Sequence, residues 1–383
     1  RRRWTVRLRL TRRSLLCCAA GAGMGLAAHA TLGRGAGAWA ATASSAGAPP
    51  ASGPSSAETV ELLREFILQR ALSSSDPWVQ AHVVLALGAD VEYERKPVLD
   101  AMVAQSLRTE AVDLKQYPFF PTEVERHPFH FVQIMQATEV PYERAFVTPR
   151  GRFTRREIVS GSEALFDPAA VTDELSWVVS VLTHEHPQDR DGFETARGLE
   201  VHVTKLVERH LTETEAAWAD TFAAMAGAKG YTKGAVHRTA CNGTHMIYGL
   251  IDALRYGYTV ADLRARTGRL VGALLFRMRA EPALIDASLR TGHPLIRLNA
   301  DAAKLTFLGH AVEDLGYGAQ HGVLKLTPPQ LEVVSEARAQ LATIVARVTA
   351  EHDVDALQSQ VPQAYKILLG DACHAYRGLR FWS

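Results

Sequence analysis

The chain has 383 residues and a formal net charge of +1. Eight of its 42 basic residues and none of its 41 acidic ones fall in residues 1–40, so the remainder carries 34 against 41, a net of −7. A mildly acidic body argues against nucleic acid and anionic membrane as partners.

Residues 1–40 read as an export signal. Arg1 to Arg13 is basic, Leu15 to Ala30 is apolar and rich in small residues, and Ala38-Trp39-Ala40 is a small-x-small cleavage site. The paired Arg12-Arg13 before Leu15-Leu16 resembles a bacterial twin-arginine signal, which implies an exported, periplasmic or extracellular protein. A membrane anchor is the competing reading, but Gly21, Gly23, Gly25 and His29 dilute a run that is already short for a span. We expect no stable membrane span after cleavage. Residues 41–57 are an Ala/Ser/Gly/Pro linker that cannot bury a core. The folded domain is expected over residues 58–383, long for one domain unless the architecture is a closed ring.

Helical signals then follow one another. Val60, Leu63, Ile67 and Leu68 have helical spacing within Glu58–Leu72. Asp76 is an N-cap with Pro77 at the first helical position, and Gly88 closes the helix. Further helices are expected over Pro97–Leu107, Phe129–Ala137 and from a Thr172-Asp173-Glu174 cap to His184. The segment Thr183-His-Glu-His-Pro187 ends that last helix. A long helical zone covers about 195–226, and another runs from about Val260 to Arg279. Asn299-Ala-Asp301 is read as capping Ala302–Leu315, Pro328-Pro329 as opening a helix to about His352, and Pro362 as opening the last. Strand and hairpin signals are nearly absent. The expected class is all-α.

The stretch Arg238–Leu254 reads as a helix at the centre of the body. Steps of four, three and four place Cys241, His245, Tyr248 and Asp252 on one stripe over roughly 16 Å. Its other sides are apolar, as expected of a buried helix whose stripe faces a cavity or buried partners.

Six low-charge helices alternate with charge-rich ones. They carry His82, His130, Trp177, His245, Lys304 and Tyr365 near their expected starts, at separations of 48, 47, 68, 59 and 61 residues. Each interval has room for one helical hairpin, so the body reads as about six stacked hairpins, an open solenoid or a closed ring. This pattern resembles the (α/α)6 toroid of terpene cyclases, protein prenyltransferase β-subunits, lanthionine cyclases and several polysaccharide hydrolases and lyases. The resemblance is architectural. No Asp-x-Asp-Asp run is present, and Cys373-His374 is followed by Ala375 rather than the glycine of lanthionine cyclases.

Parallel inner helices would gather their N-termini, and so a candidate site, at one end of the ring. Cys241 and His245 lie one turn apart and suit a zinc ion completed by His82, His130 or Asp173. They also suit a thiolate nucleophile with His245 as base, and Asp173 joins them as a candidate catalytic group. The bland reading is a core thiol and a hydrogen-bonded core histidine, or a Cys241–Cys373 disulfide. Trp78, Trp177, Asn242, Tyr248, Asp301, Lys304 and Tyr365 are the candidate ligand pocket. The function implied is an enzyme acting on a saccharide or isoprenoid-like small molecule in a central cavity, with zinc as the candidate cofactor. The alternatives are a ligand-binding protein without chemistry and a helical-repeat interaction protein.

Overall fold

The computed structural model describes residues 54–171, 175–287 and 294–383. The export segment and Asp173 lie outside the described residues, as does most of the linker.

The described residues are mainly α-helical. In chain order the helices are α1 (Ser56–Phe66), α2 (Pro77–Leu87), α3 (Val98–Ser106), α4 (Thr122–Glu125), α5 (His130–Ala137), α6 (Arg155–Ala164) and α7 (Leu175–Glu185). They continue with α8 (Val203–Met225), α9 (Thr244–Arg255), α10 (Leu263–Ala287), α11 (Pro294–Gln320), α12 (Pro328–Ala350), α13 (Val354–Gln360) and α14 (Pro362–Arg380). The all-α expectation holds. Four antiparallel strand pairs of two to five residues correct the expectation of almost no strand: 92–93 with 96–97, 108–112 with 115–119, 145–148 with 151–154, and 193–194 with 200–201. The hairpin over 145–154 runs into α6, whose N-cap Thr154 and Glu157 form a capping box.

Local chemistry explains several boundaries. The Asp76 carboxylate accepts the Trp78 and Val79 N–H groups at the start of α2, Pro77 occupies the first position, and Gly88 closes the helix at φ +101°. Pro328 and Pro362 open α12 and α14 in the same way. Two expectations fail. Asn299-Ala-Asp301 caps nothing, because α11 runs unbroken through it from Pro294. The central helix does not begin at Arg238: Cys241, Asn242 and Gly243 are all left-handed, and α9 starts at Thr244.

Six helices pack in a cycle. α2 lies against α5, α5 against α7, α7 against α9, α9 against α11, α11 against α14, and α14 against α2. They are the six segments singled out for low charge. α14 crosses α11 closely, where a Cβ on Gly378 would stand 2.8 Å from the Glu313 amide nitrogen, and α9 crosses α7 closely, where one on Gly249 would stand 2.7 Å from the Ser176 carbonyl oxygen. The flanking layer is uneven. α8, α10 and α12 are long outer helices, whereas short helices and strand pairs fill the intervals between α2, α5 and α7. Among the described residues no helix is long and apolar enough to cross a membrane.

Candidate metal centre

Five of the six cyclic helices bring a histidine to one level, and α7 brings Trp177 to it. His82 (α2), His130 (α5), His245 (α9), His310 (α11) and His374 (α14) are each at most 6% exposed. Their rings form a connected set. Centroids are 5.2 Å apart for His82–His130, 5.1 Å for His82–His374, 3.9 Å for His310–His374 and 4.8 Å for His245–His310. Trp177 stacks on His130 at 5.3 Å and sits 4.5 Å from His245. His127 adds a sixth ring, 5.4 Å from His130 and 5.9 Å from His245.

In four of the rings a hydrogen bond fixes which nitrogen carries the proton. Nδ1 of His82 faces the Trp78 carbonyl at 2.6 Å, that of His310 the Thr306 carbonyl at 2.7 Å, and that of His130 the Glu125 carbonyl at 3.3 Å. Nδ1 of His374 faces the Glu313 carboxylate at 2.5 Å. Carbonyls and carboxylates only accept, so each Nδ1 carries the hydrogen and each Nε2 a lone pair. Nε2 of His245, His310 and His374 is buried with no hydrogen-bond partner. Buried polar atoms are seldom left so, and each needs an account.

Burial and the neighbouring rings hold these imidazoles neutral. His82 is pushed down to about 3, while His130, His245 and His374 lie well below the ordinary histidine range, and His310 is also lowered. Neutral imidazoles are in the state that binds metal, and in His82, His130, His310 and His374 a hydrogen bond also fixes the Nδ1–H group. Cys241 completes the set. Its Sγ and ligand nitrogens of His245 and His310 all lie within 4.8 Å of one another, a Cys/His/His group that could hold a metal ion.

Cys241 reaches this group because its backbone is forced. It has φ 45° and ψ 38°, and Asn242 has φ 56° and ψ 32°. Such a conformation costs a non-glycine residue on the order of 1–3 kcal/mol and persists only where the surroundings impose it. Here Arg277 Nη1 donates to the Asn242 carbonyl at 2.7 Å, and Thr244 Oγ1 donates to the Cys241 carbonyl at 2.8 Å. The Arg277 guanidinium is fully buried between Trp218 and Phe307 and paired with Glu281 at 3.1 Å. Beside the group, His127, Trp177, Thr239, Ala240 and His245 line a narrow cleft of about 10 Å³, room for one water.

The structure separates the other expected residues. Tyr248 and Asp252 lie deeper on α9. Tyr248 stacks on Tyr317 at 4.7 Å, and its hydroxyl accepts from Gln133 at 3.4 Å. Asp252 accepts from the hydroxyls of Ser180 and Tyr317. Trp78 caps the layer 4.0 Å from His82. Asp301 is turned outward, bound by Arg347 at 2.6 Å and by His352 at 2.8 Å. Lys304 pairs with Asp286. Tyr365 is buried but belongs to none of the ring contacts of the layer. Of Asn242 only the backbone carbonyl enters the site's scaffold. Cys241 and Cys373 are not joined, which removes the disulfide, and burial pushes the Cys373 thiol far above its ordinary value. His184 and His186 pair with Glu185 and Glu163 and take no part in the layer.

Sequence reasoning missed His310 and His374. It placed all site groups at the starts of the inner helices. That holds for α5, α7 and α9, but α11 and α14 pass through the layer in mid-helix. Both residues lie on helices already picked as inner, beside the small residues Gly309 and Cys373 that low-charge packing uses.

No protein family matches the chain, and no curated protein or solved structure is significantly similar to it.

Proposed function

We propose that the histidine layer is a metal centre of the zinc class, with Cys241, His245 and His310 as ligands of the ion. The observation that supports it is the acceptor-only layer. Imidazoles whose protons are committed to Nδ1 present lone pairs to one another, and lone pairs face each other favourably only with something positive between them. A thiolate with imidazoles suits zinc.

The rest of the chain serves this reading. Thr306 and Glu313 orient two rings, Arg277 holds the Cys241 turn, and Trp177 shields one side from water. When bound, the ion supplies Lewis acidity beside a cleft that admits a water-sized group. The chemistry we propose is therefore on a small molecule at that cleft. A saccharide or isoprenoid would need the cleft to widen, and a binding role without chemistry uses the same ligands. The cyclic packing of six helices supports an (α/α)6 toroid enclosing the centre, and residues 1–40 support export.

Elemental analysis of the purified full chain tests the centre. Bound zinc or copper that is lost in Cys241→Ala and His310→Ala, with helicity retained, is the expected result. A metal-free protein whose two variants merely lose stability would defeat it.

A further inference from the structure

A second cavity lies outside the metal centre. It measures about 280 Å3, against about 10 Å3 for the cleft beside the metal ligands. Trp78, Gln105, Arg108 and Arg126 line it together with Asp76 and Glu123. Arg126 immediately precedes His127, which lines the metal cleft, so one loop serves both spaces. A cavity of this size is near the lower end of the range for small-molecule sites.

We propose that this cavity is a binding site for a small molecule bearing a carboxylate or a phosphate, recognised by Arg108 and Arg126. It is separate from the metal centre, and neither reading needs the other.

The state of the charged groups carries it. Arg108 Nη1 donates to the Gln105 and Leu107 carbonyls at 2.8 and 2.9 Å, which fixes the guanidinium in place. Among the described residues its Nε and Nη2 donate to nothing, and it has no acidic partner. The Arg126 guanidinium lies 4.6 Å over the Trp78 ring. A stacked guanidinium keeps its N–H groups in its own plane, where their edge can still meet a ligand. The two acidic residues leave this positive character standing. Asp76 accepts the Trp78 and Val79 N–H groups and pairs with Lys366 at 2.5 Å. Burial opposes the Asp76 charge, and Lys366 sustains it more than Arg126 does. Glu123 is exposed to solvent. Guanidinium forks match the paired oxygens of a carboxylate or a phosphate. A saccharide suits the cavity less well, because the Trp78 indole is already packed. Arg126 lies over it, His82 is 4.0 Å away between ring centres, and a Cβ on Gly370 would stand 2.5 Å from its Cη2.

The experiment is isothermal titration calorimetry of the full chain with succinate, inorganic phosphate and glucose. The expected result is saturable binding of succinate or phosphate at one site, with glucose binding more weakly than either. The tighter of the two anions tells a carboxylate ligand from a phosphate one. Arg108→Gln should weaken that binding about tenfold, the effect of losing a charge-assisted hydrogen bond. Lys233→Gln removes an exposed cation outside the cavity and should leave it unchanged. The binding should persist after treatment of the protein with a chelator, which tells this site from an anion bound on the metal. No saturable binding of either anion would overturn the proposal, as would glucose binding as tightly as the anions. An equal loss in Lys233→Gln, or binding that disappears with the metal, would overturn it as well. Should Arg108→Gln fail to fold, Arg108→Lys keeps the charge and gives up the fork. It should also weaken the binding, and unchanged affinity would overturn the proposal.

Discussion

The His374 ring and the Glu313 carboxylate lie 2.5 Å apart, from Nδ1 to Oε2, with both side chains 3% exposed. Glu313 also binds Arg377 on the same helix as His374, so one carboxylate fixes two neighbouring turns of α14 against α11. This contact turns Nε2 of His374 to the interior and adds to its basicity.

It follows that Glu313→Gln should weaken metal binding indirectly, because the His374 ring it holds packs 3.9 Å from the ring of the ligand His310. Competition with a chromophoric chelator measures it. The variant should also unfold more easily, because Arg377 loses its buried counter-charge. Unchanged affinity in a destabilised protein would show that Glu313 serves the fold alone.

Gly243 tests the turn that delivers Cys241. It is the left-handed N-cap of α9 at φ +79°, and a Cβ there would stand 2.4 Å from Val236 Cγ2 and 3.1 Å from Trp218 Nε1. Gly243→Ala should cost about 1–3 kcal/mol from backbone strain and overpacking. Denaturant unfolding reads that cost. Because Cys241 and His245 flank the glycine, metal content should fall with it. A variant as stable as the parent would contradict the close contact described.

Much of this arrangement was legible in the sequence, and the failures have physical causes. Low charge marked the six cyclic helices because a helix surrounded by other helices has no face on which to carry charge. Asp76-Pro77, Gly88 and Pro362 marked their ends through chemistry that acts within a few residues. The level of the site was not legible. Lys304 and Tyr365 were preferred to His310 and His374 because depth along a helix depends on where the helix starts, and α11 already runs through the Asn299–Asp301 segment that reads as its cap. The left-handed turn at Cys241 was hidden for a related reason. It is imposed from a distance by Arg277, some 35 residues along the chain, and Cys and Asn carry no local signal as clear as glycine.

Arg277 should therefore control the reactivity of Cys241. Arg277→Met removes the donor to the Asn242 carbonyl and one partner of Glu281, which keeps His237 at 3.0 Å. Breaking a buried pair from one side costs about 3–5 kcal/mol. In metal-stripped protein the freed turn should expose the thiol, so that iodoacetamide modifies Cys241 faster than in the parent. Peptide mapping separates it from Cys373, whose buried and raised thiol should stay unmodified in both. Equal rates at Cys241 would mean that the turn holds itself.

The last prediction concerns acid and a histidine outside the layer. His210 on α8 is 1% exposed, and its Nε2 meets the Met246 carbonyl at 2.9 Å. Burial pushes it down to about 4, the carbonyl opposing only in part. The unfolded chain takes up a proton there near pH 6.5, whereas the folded chain does so only near 4. Between those values the unfolded state binds more protons, so stability must fall as pH falls through that window and level off below it. The stability is fully present above pH 6.5, and the loss across the window is roughly 3 kcal/mol. His210→Gln can keep a donor for Met246 and does not titrate in this range. The difference in unfolding free energy between the parent and His210→Gln, measured without metal, should be constant above pH 6.5. It should shift against the parent as pH falls toward 4. A difference that stays flat across the window would show that His210 is already protonated in the folded protein or that water reaches it.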